Sequence, residues 1–190
     1  MKGSRPLTRQ NVKALLKAAI PIREKTLLTI GFCTGYRISE LLSLTVGDVS
    51  TNGVIHSHVT VKAANTKTKT GRSVLLNSDA QKALQSLISV IGTNSTTPLF
   101  ISRKRSVTGS LKSINRQQAH EILKRLFAAI GEFGNVSTHS LRKTFAARIY
   151  EQTGKIELVQ IALGHKSINS TISYLAFGND DVDRAIRGII

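Results

Sequence analysis

Between Asn52-Gly53 and Leu76 the residue pattern changes from helical to extended, and this one interruption sets the class of fold open to the chain. Val54, Ile55, Val59 and Val61 are β-branched residues, bounded on one side by the Asn-Gly turn dipeptide and on the other by a polar run from Asn65 to Gly71. Val74, Leu75 and Leu76 then supply a returning strand. β-branched side chains suit a pleated, half-buried surface, so two such runs around a polar tip read as an antiparallel hairpin with the lysine-rich TKTKTGR at its tip. Elsewhere apolar residues recur at helical spacing. The expectation is a mainly α-helical fold with a small antiparallel β-sheet at about residues 53 to 77, in the α+β class.

The helices are punctuated clearly. After a short basic lead, Lys2 to Arg5, Thr8 is placed to cap a helix carrying Val12, Leu15, Leu16 and Ala19 on one face and ending at Pro21. A second helix is predicted over 22–34, closed by Gly35. A third follows in TGYRISELL, with Arg37 and Glu40 three apart on one face; taken alone they read as a surface ion pair. Residues 78–91 form an amphipathic helix with Ala80, Leu84, Leu87, Ile88 and Ile91 inward. Another is predicted over 113–130, with Ile114, Ile122, Leu123 and Leu126 inward, Arg116, Lys124 and Arg125 outward, and Gly131 and Gly134 as its stop. Between them, 101–112 is basic and without helical pattern; it reads as a solvated loop or as a loop tracking a nucleic-acid backbone. Near the end, Asp180, Asp181 and Asp183 stand at the start of a stripe of Val182, Ala185, Ile186 and Ile189 and look like helix N-terminal charges.

Charge limits the partners. The 190 residues suffice for one domain, and 27 Lys and Arg against 11 Asp and Glu give a net charge of +16. Such an excess implies a polyanion, with nucleic acid the first candidate. A membrane surface would also attract a basic chain, but no long apolar span or signal peptide is present. The single cysteine, Cys33, lies in an apolar run and reads as a small buried hydrophobe in a protein of the reducing cytosol. Metal-dependent DNA cleavage would call for clustered carboxylates or a His/Cys group, and the acidic residues are otherwise scattered. A phosphate-loop lysine motif is likewise missing, so neither a metal nor ATP is expected. His56, His58 and His120 have no motif around them and read as structural or surface residues.

The chemistry concentrates between Thr138 and Leu175. His139 and Arg142 are three apart and project from one side of a helix, a poor core but a good site for an anion. Further on come Leu163-Gly164-His165 and, nine residues past that histidine, Tyr174. Together with Arg37 and Glu40 in Thr-Gly-x-Arg-x-x-Glu-Leu, this ordered set resembles the tyrosine recombinase (phage integrase) family over residues 6 to 175. Lys143 stands where many relatives carry a second histidine.

The resemblance implies the family's catalytic-domain fold and a site-specific DNA recombinase of integrase or invertase type, acting through a 3′-phosphotyrosyl intermediate. By it, Arg37 and Arg142 hold the phosphate, His165 adds a hydrogen bond, Tyr174 is the nucleophile, His139 the nearest candidate base, and Glu40 holds Arg37 in place. A hairpin lysine supplies the proton to the leaving oxygen; its distance from Val74-Leu75-Leu76 picks Lys67, with Lys69 the rival. Candidate DNA contacts are Lys69, Arg72, Arg103, Lys104, Arg105 and Lys143, Arg72 as a phosphate contact or a strand-edge charge.

The implied partner is double-stranded DNA, with a homotetramer assembled on it and no membrane. The expected organisation is a single catalytic domain over 1–190, with a basic lead at 1–6 and a tail helix at 176–190 that packs on its own domain or docks on a neighbouring subunit. The N-terminal core-binding domain of most relatives is not expected, which suits an excised domain or a short recombinase like the fimbrial invertases. The expected setting is the cytoplasm, of a cell or of a phage host. A type IB topoisomerase-like enzyme and a non-catalytic DNA-binding accessory protein are the competing classes; the filled catalytic positions argue against the latter.

Overall fold

Helices, two short ribbons, then helices again follow the change of pattern in the sequence. The computed structural model describes residues 4–62, 71–104 and 109–175. In chain order the elements are α1 (Arg9–Ala18), α2 (Ile22–Thr34), α3 (Ile38–Leu42), α4 (Val46–Val49), β1 (Ser50–Thr51), β2 (Val54–Ile55), β3 (His58–Val61), β4 (Arg72–Leu75), α5 (Ser78–Ile91), α6 (Arg116–Ala129), α7 (Thr138–Thr153), α8 (Ile156–Leu163) and α9 (Ile168–Leu175). Residues up to Phe145, including the first part of α7, form one compact unit, and residues from Ala146 form a second. The fold is mainly α with small antiparallel ribbons, as the pattern predicts.

The first unit is built around α2. Its sequence, IREKTLLTIGFCT, confines its charges to Arg23, Glu24 and Lys25, and every residue from Thr26 to Gly31 is buried. Leu27 and Ile30 point into a core shared with α3, α4, β3 and α5. Leu28 points into a second core with Leu15 of α1, Leu123, Leu126 and Phe127 of α6, and Leu141 of α7. Two of its threonines satisfy their hydroxyls locally, Thr29 donating to the Lys25 carbonyl at 2.9 Å and Thr34 to that of Ile30 at 2.7 Å, while Thr26 donates to the Ala83 carbonyl of α5 at 3.2 Å. Buried Glu24 is paired with Arg125 of α6 at 2.5 Å. Truncating a leucine here would cost about 2–5 kcal/mol. Cys33 is half-buried at the rim of the first core, less enclosed than the sequence suggests.

The expected sheet is divided in two. Asn52 (φ 51°) and Gly53 (φ 81°) both take left-handed backbone, the requirement of a tight hairpin turn, so the chain folds back on Ser50 and Thr51, which the sequence had not marked as a strand. β3 and β4 then pair with His58 opposite Leu75 and Val61 opposite Arg72, and Val59 and Val61 alternate into the core. The tip of this second ribbon, with Lys67 and Lys69, lies outside the described residues, as do Arg105 and the tail at 176–190.

α6 starts at Arg116, three residues later than the periodicity indicates. Ile114 is buried as expected, but Ser113 pairs with Ile101 in an isolated antiparallel bridge. Asn115 and Gln118 then cap each other's backbone at 2.8 and 2.9 Å, which sets the helix start. Beside this bridge the Ser102 N–H is bonded to the Lys112 carbonyl at 2.8 Å.

Gly35, which ends α2, is the most constrained glycine. Its φ is +59°, and a β-carbon there would lie 2.2 Å from Cδ1 of Phe145. Gly35→Ala should therefore combine left-handed strain of about 1–2 kcal/mol with overpacking of about 1–3 kcal/mol. Urea unfolding should show a lower midpoint at an unchanged slope; a midpoint equal to wild type would mean that Phe145 does not fill that space.

Candidate active site

The turn from the last residue of α2 to the start of α3, residues 34–37, holds the first half of the site. Arg37 stands at the N-cap of α3, where its backbone N–H donates to Oε2 of Glu40 at 2.8 Å and its Nη1 to Oε1 at 2.7 Å. Glu40 is 2% exposed, so this is not the weak surface pair that the spacing alone suggests. A buried carboxylate needs both partners, and with both oxygens engaged it fixes where Arg37 points. The Arg37 side chain keeps about 25% of its surface in solvent.

Arg142 approaches the same loop from α7. It is 1% exposed, and its Nη1 donates to the Gly35 carbonyl at 2.6 Å. The start of α7 is pinned around it: Thr144 donates to the Ser140 carbonyl at 2.7 Å and accepts from the Leu7 N–H at 2.9 Å. Two arginines 105 positions apart in sequence thus meet one four-residue turn.

His139 lies three residues before Arg142 and is exposed as a residue. Its pKa is lowered from the usual 6.5 by partial burial of the ring and then by the charges of Arg142, Arg116, Arg37 and Lys143. Since the residue as a whole faces solvent, the cations are the firmer cause. The neutral imidazole, which can accept a proton, is therefore favoured over the charged form.

Three residues that sequence reasoning passed over or placed elsewhere belong to this site. Tyr36 is 1% exposed, and its Oη reaches the carbonyls of Val59 at 2.7 Å and Arg72 at 2.8 Å. Burial pushes its phenol up to about 12, so it stays protonated. Arg72 turns inward: Nη2 donates to the Thr34 carbonyl at 2.9 Å and the guanidinium lies 4.4 Å from the Tyr36 ring centroid. Burial, followed by the charges of Arg142 and Arg37, brings its pKa down to about 10. Arg116, read only as an outward charge of α6, reaches His139 electrostatically; its place at the first position of a capped helix was the available signal.

The second unit carries the other candidates. Gly164, with φ +64°, ends α8, and the His165 backbone N–H bonds to the Gln160 carbonyl at 3.0 Å while Gln160 Nε2 donates to the His165 carbonyl at 3.1 Å. Nδ1 of His165 is 3.0 Å from the hydroxyl of fully buried Thr171, which fixes the ring plane. Tyr174, one turn further along α9, sets its ring edge-on to His165 with centroids 5.2 Å apart at 72°. The structure thus gathers Arg37, Glu40, His139 and Arg142 in the first unit, and His165 and Tyr174 in the second. Arg103 and Lys104 are exposed and Lys143 is half-buried. Among the described residues no group of three or more His, Cys, Asp or Glu could hold a metal ion, and no helix is long and apolar enough to cross a membrane.

Comparison with known proteins places this arrangement. Residues 5–179 match the Phage integrase family. Tyrosine recombinase XerD of Corynebacterium glutamicum is 28% identical over 191 residues, covering 94% of this chain and 59% of its own. The fold is similar to that of XerA recombinase, with a TM-score of 0.79 at 23% identity over 98% of this chain and 64% of that one. It is also similar to XerH site-specific recombinase bound to its difH substrate, with a TM-score of 0.70 at 23% identity over 99% of this chain and 55% of that one. The chain spans between half and two thirds of the length of these relatives.

The electrostatics of His139 can be read directly by NMR titration of its ring. The midpoint should fall below 6.5; Arg116→Ala should move it upward, and so should saturating inorganic phosphate, which offsets the same cations. A midpoint above 6.5, or one that ignores both changes, would mean that the cations do not act on this ring.

Proposed function

Because the chain belongs to the phage integrase family, we propose that it is a site-specific DNA recombinase of integrase or invertase type, cutting and rejoining double-stranded DNA without metal or ATP. The observation that carries this reading is the convergence of Arg37 and Arg142 on one turn beside a neutral His139, in a chain with a net charge of +16. A phosphodiester repels nucleophiles through its own negative charge, and two guanidiniums can pair with its non-bridging oxygens and stabilise the pentavalent transition state. The XerH complex with its difH substrate lends support, since a protein of the same fold works on DNA.

Each group then has a role. The Tyr174 phenolic oxygen attacks phosphorus as His139 accepts its proton, and His165 donates to the phosphate. The bond from phosphorus to the 5′ oxygen breaks, and that oxygen takes a proton from a hairpin lysine, Lys67 or its rival Lys69. The products are a 3′-phosphotyrosyl bond and a free 5′ hydroxyl. The ester keeps the energy of the broken bond, so attack by a 5′ hydroxyl of another strand reseals DNA and returns the proton to Tyr174. In this reading Arg103, Lys104, Arg105 and Lys143 contact the DNA backbone, protomers assemble as a tetramer on DNA in the cytoplasm, and the tail at 176–190 docks on a neighbouring subunit.

Covalent trapping tests the proposal. On a nicked duplex from the native locus, the wild-type chain should give an adduct on a denaturing gel, Tyr174→Phe none, and Arg37→Ala or Arg142→Ala about 10²–10³-fold slower formation. An adduct that survives in Tyr174→Phe would assign the nucleophile elsewhere. Salt-sensitive binding to that duplex with no adduct at all would turn the reading toward a binding protein.

A further inference from the structure

The turn that carries Arg37 is held from two sides. Arg142 takes the Gly35 carbonyl at 2.6 Å, and Arg72, from the middle of the unit's sequence, takes the neighbouring Thr34 carbonyl at 2.9 Å. Tyr36 stands between them, with the Arg72 guanidinium over its ring and its hydroxyl on one carbonyl from each strand of the β3–β4 ribbon, Val59 and Arg72. Every residue of the turn is therefore tied to something outside it: 34 to Arg72, 35 to Arg142, 36 to the ribbon and 37 to Glu40.

Resting on the recombinase reading, we propose that Arg72 and Tyr36 form a brace that locks the 34–37 turn to the β3–β4 ribbon, making Arg72 a positioning residue for the phosphate-holding arginines and not a DNA contact. The chemistry favours this over a backbone contact. Arg72 gives one edge of its guanidinium to a carbonyl and in addition lays one face on the buried phenol ring, which fixes its plane against the turn. Lysine could replace the charge but not the planar stack with its directed donor. Arg72 is also repelled by Arg142 and Arg37, so its hold on the turn rests on the directed bond and the ring stack and not on its charge.

The test uses the full chain, as Arg72→Lys and as Tyr36→Phe, with Arg72→Gln as the charge-removal control and three readouts. Arginine Nε–Hε resonances of Arg37 and Arg142 report the turn without any DNA. The dependence of affinity on salt, on a short duplex of arbitrary sequence, counts phosphate contacts. Adduct formation on the native-locus duplex reports chemistry. A brace predicts displaced Arg37 and Arg142 resonances in both variants, an unchanged salt slope, and adduct formation slowed about 10–100-fold at unchanged affinity, with no rescue by lysine. Removal of a phosphate contact would instead lower the salt slope by about 0.9 in Arg72→Gln and restore both slope and rate in Arg72→Lys, and that pattern would overturn the proposal. Where Arg72→Lys fails to fold, Tyr36→Phe decides alone: unshifted resonances and a wild-type rate overturn the brace. A wild-type chain that yields no adduct would fail the recombinase reading while the resonances still judge the brace.

Discussion

A guanidinium with 1% of its surface exposed is an expensive object, and the first unit is arranged around holding that of Arg142. Removing such a charge from water costs several kcal/mol even after relaxation. Part of this is offset by the Gly35 carbonyl, which can face Arg142 only because Gly35 adopts a left-handed backbone at the end of α2. That conformation excludes a β-carbon, and the Phe145 ring occupies the space one would need. One buried cation thus explains a glycine, a helix end and an aromatic contact together.

The same cation repels its neighbours. Arg142 and Arg37 both weaken the hold of Arg72 on its proton, and the buried carboxylate nearby is that of Glu40. A fold optimised for stability alone would not concentrate positive charge so densely. In the proposed reaction an incoming phosphate would relieve the repulsion, and a pentavalent transition state, with more charge on its equatorial oxygens, would relieve it further. The rigid support matters because a preorganised field works only if it does not relax. α2, packed on both faces between two cores, delivers its C-terminal turn with little freedom, and Glu40 and Arg142 remove most of what remains.

Much of this was legible in the residues. Helical spacing located α1, α2, α5 and α6, the Asn-Gly dipeptide located a turn, and the motif spacings singled out Arg37, Glu40, His139, Arg142, His165 and Tyr174. What was not legible depends on long-range geometry. Tyr36 occupies the unspecified position of Thr-Gly-x-Arg, and nothing local says that its hydroxyl will meet strands more than twenty residues away. Arg72 looks like any basic residue at a ribbon edge until its partners, Thr34 and Tyr36, are in place. The start of α6 was misjudged because Ile114 continues the apolar period while Ser113 is drawn into a bridge with Ile101. Periodicity reports burial, and burial does not distinguish a helix from the strand that leads into it.

The position of His139 gives the cluster a second use. A histidine among cations is kept neutral, which makes it available as a base but also a weak one. Phosphate bound to Arg37 and Arg142 would cancel part of the field that weakens it. Its affinity for a proton would then rise as the scissile group arrives and as attack on phosphorus begins to release one. The arginines would in this way act twice, first by stabilising charge on the phosphate and then, once that charge is present, by ceasing to suppress the base. Neither effect needs a moving part. Both follow from placing a titratable ring within the reach of charges whose net sum depends on whether the substrate is there.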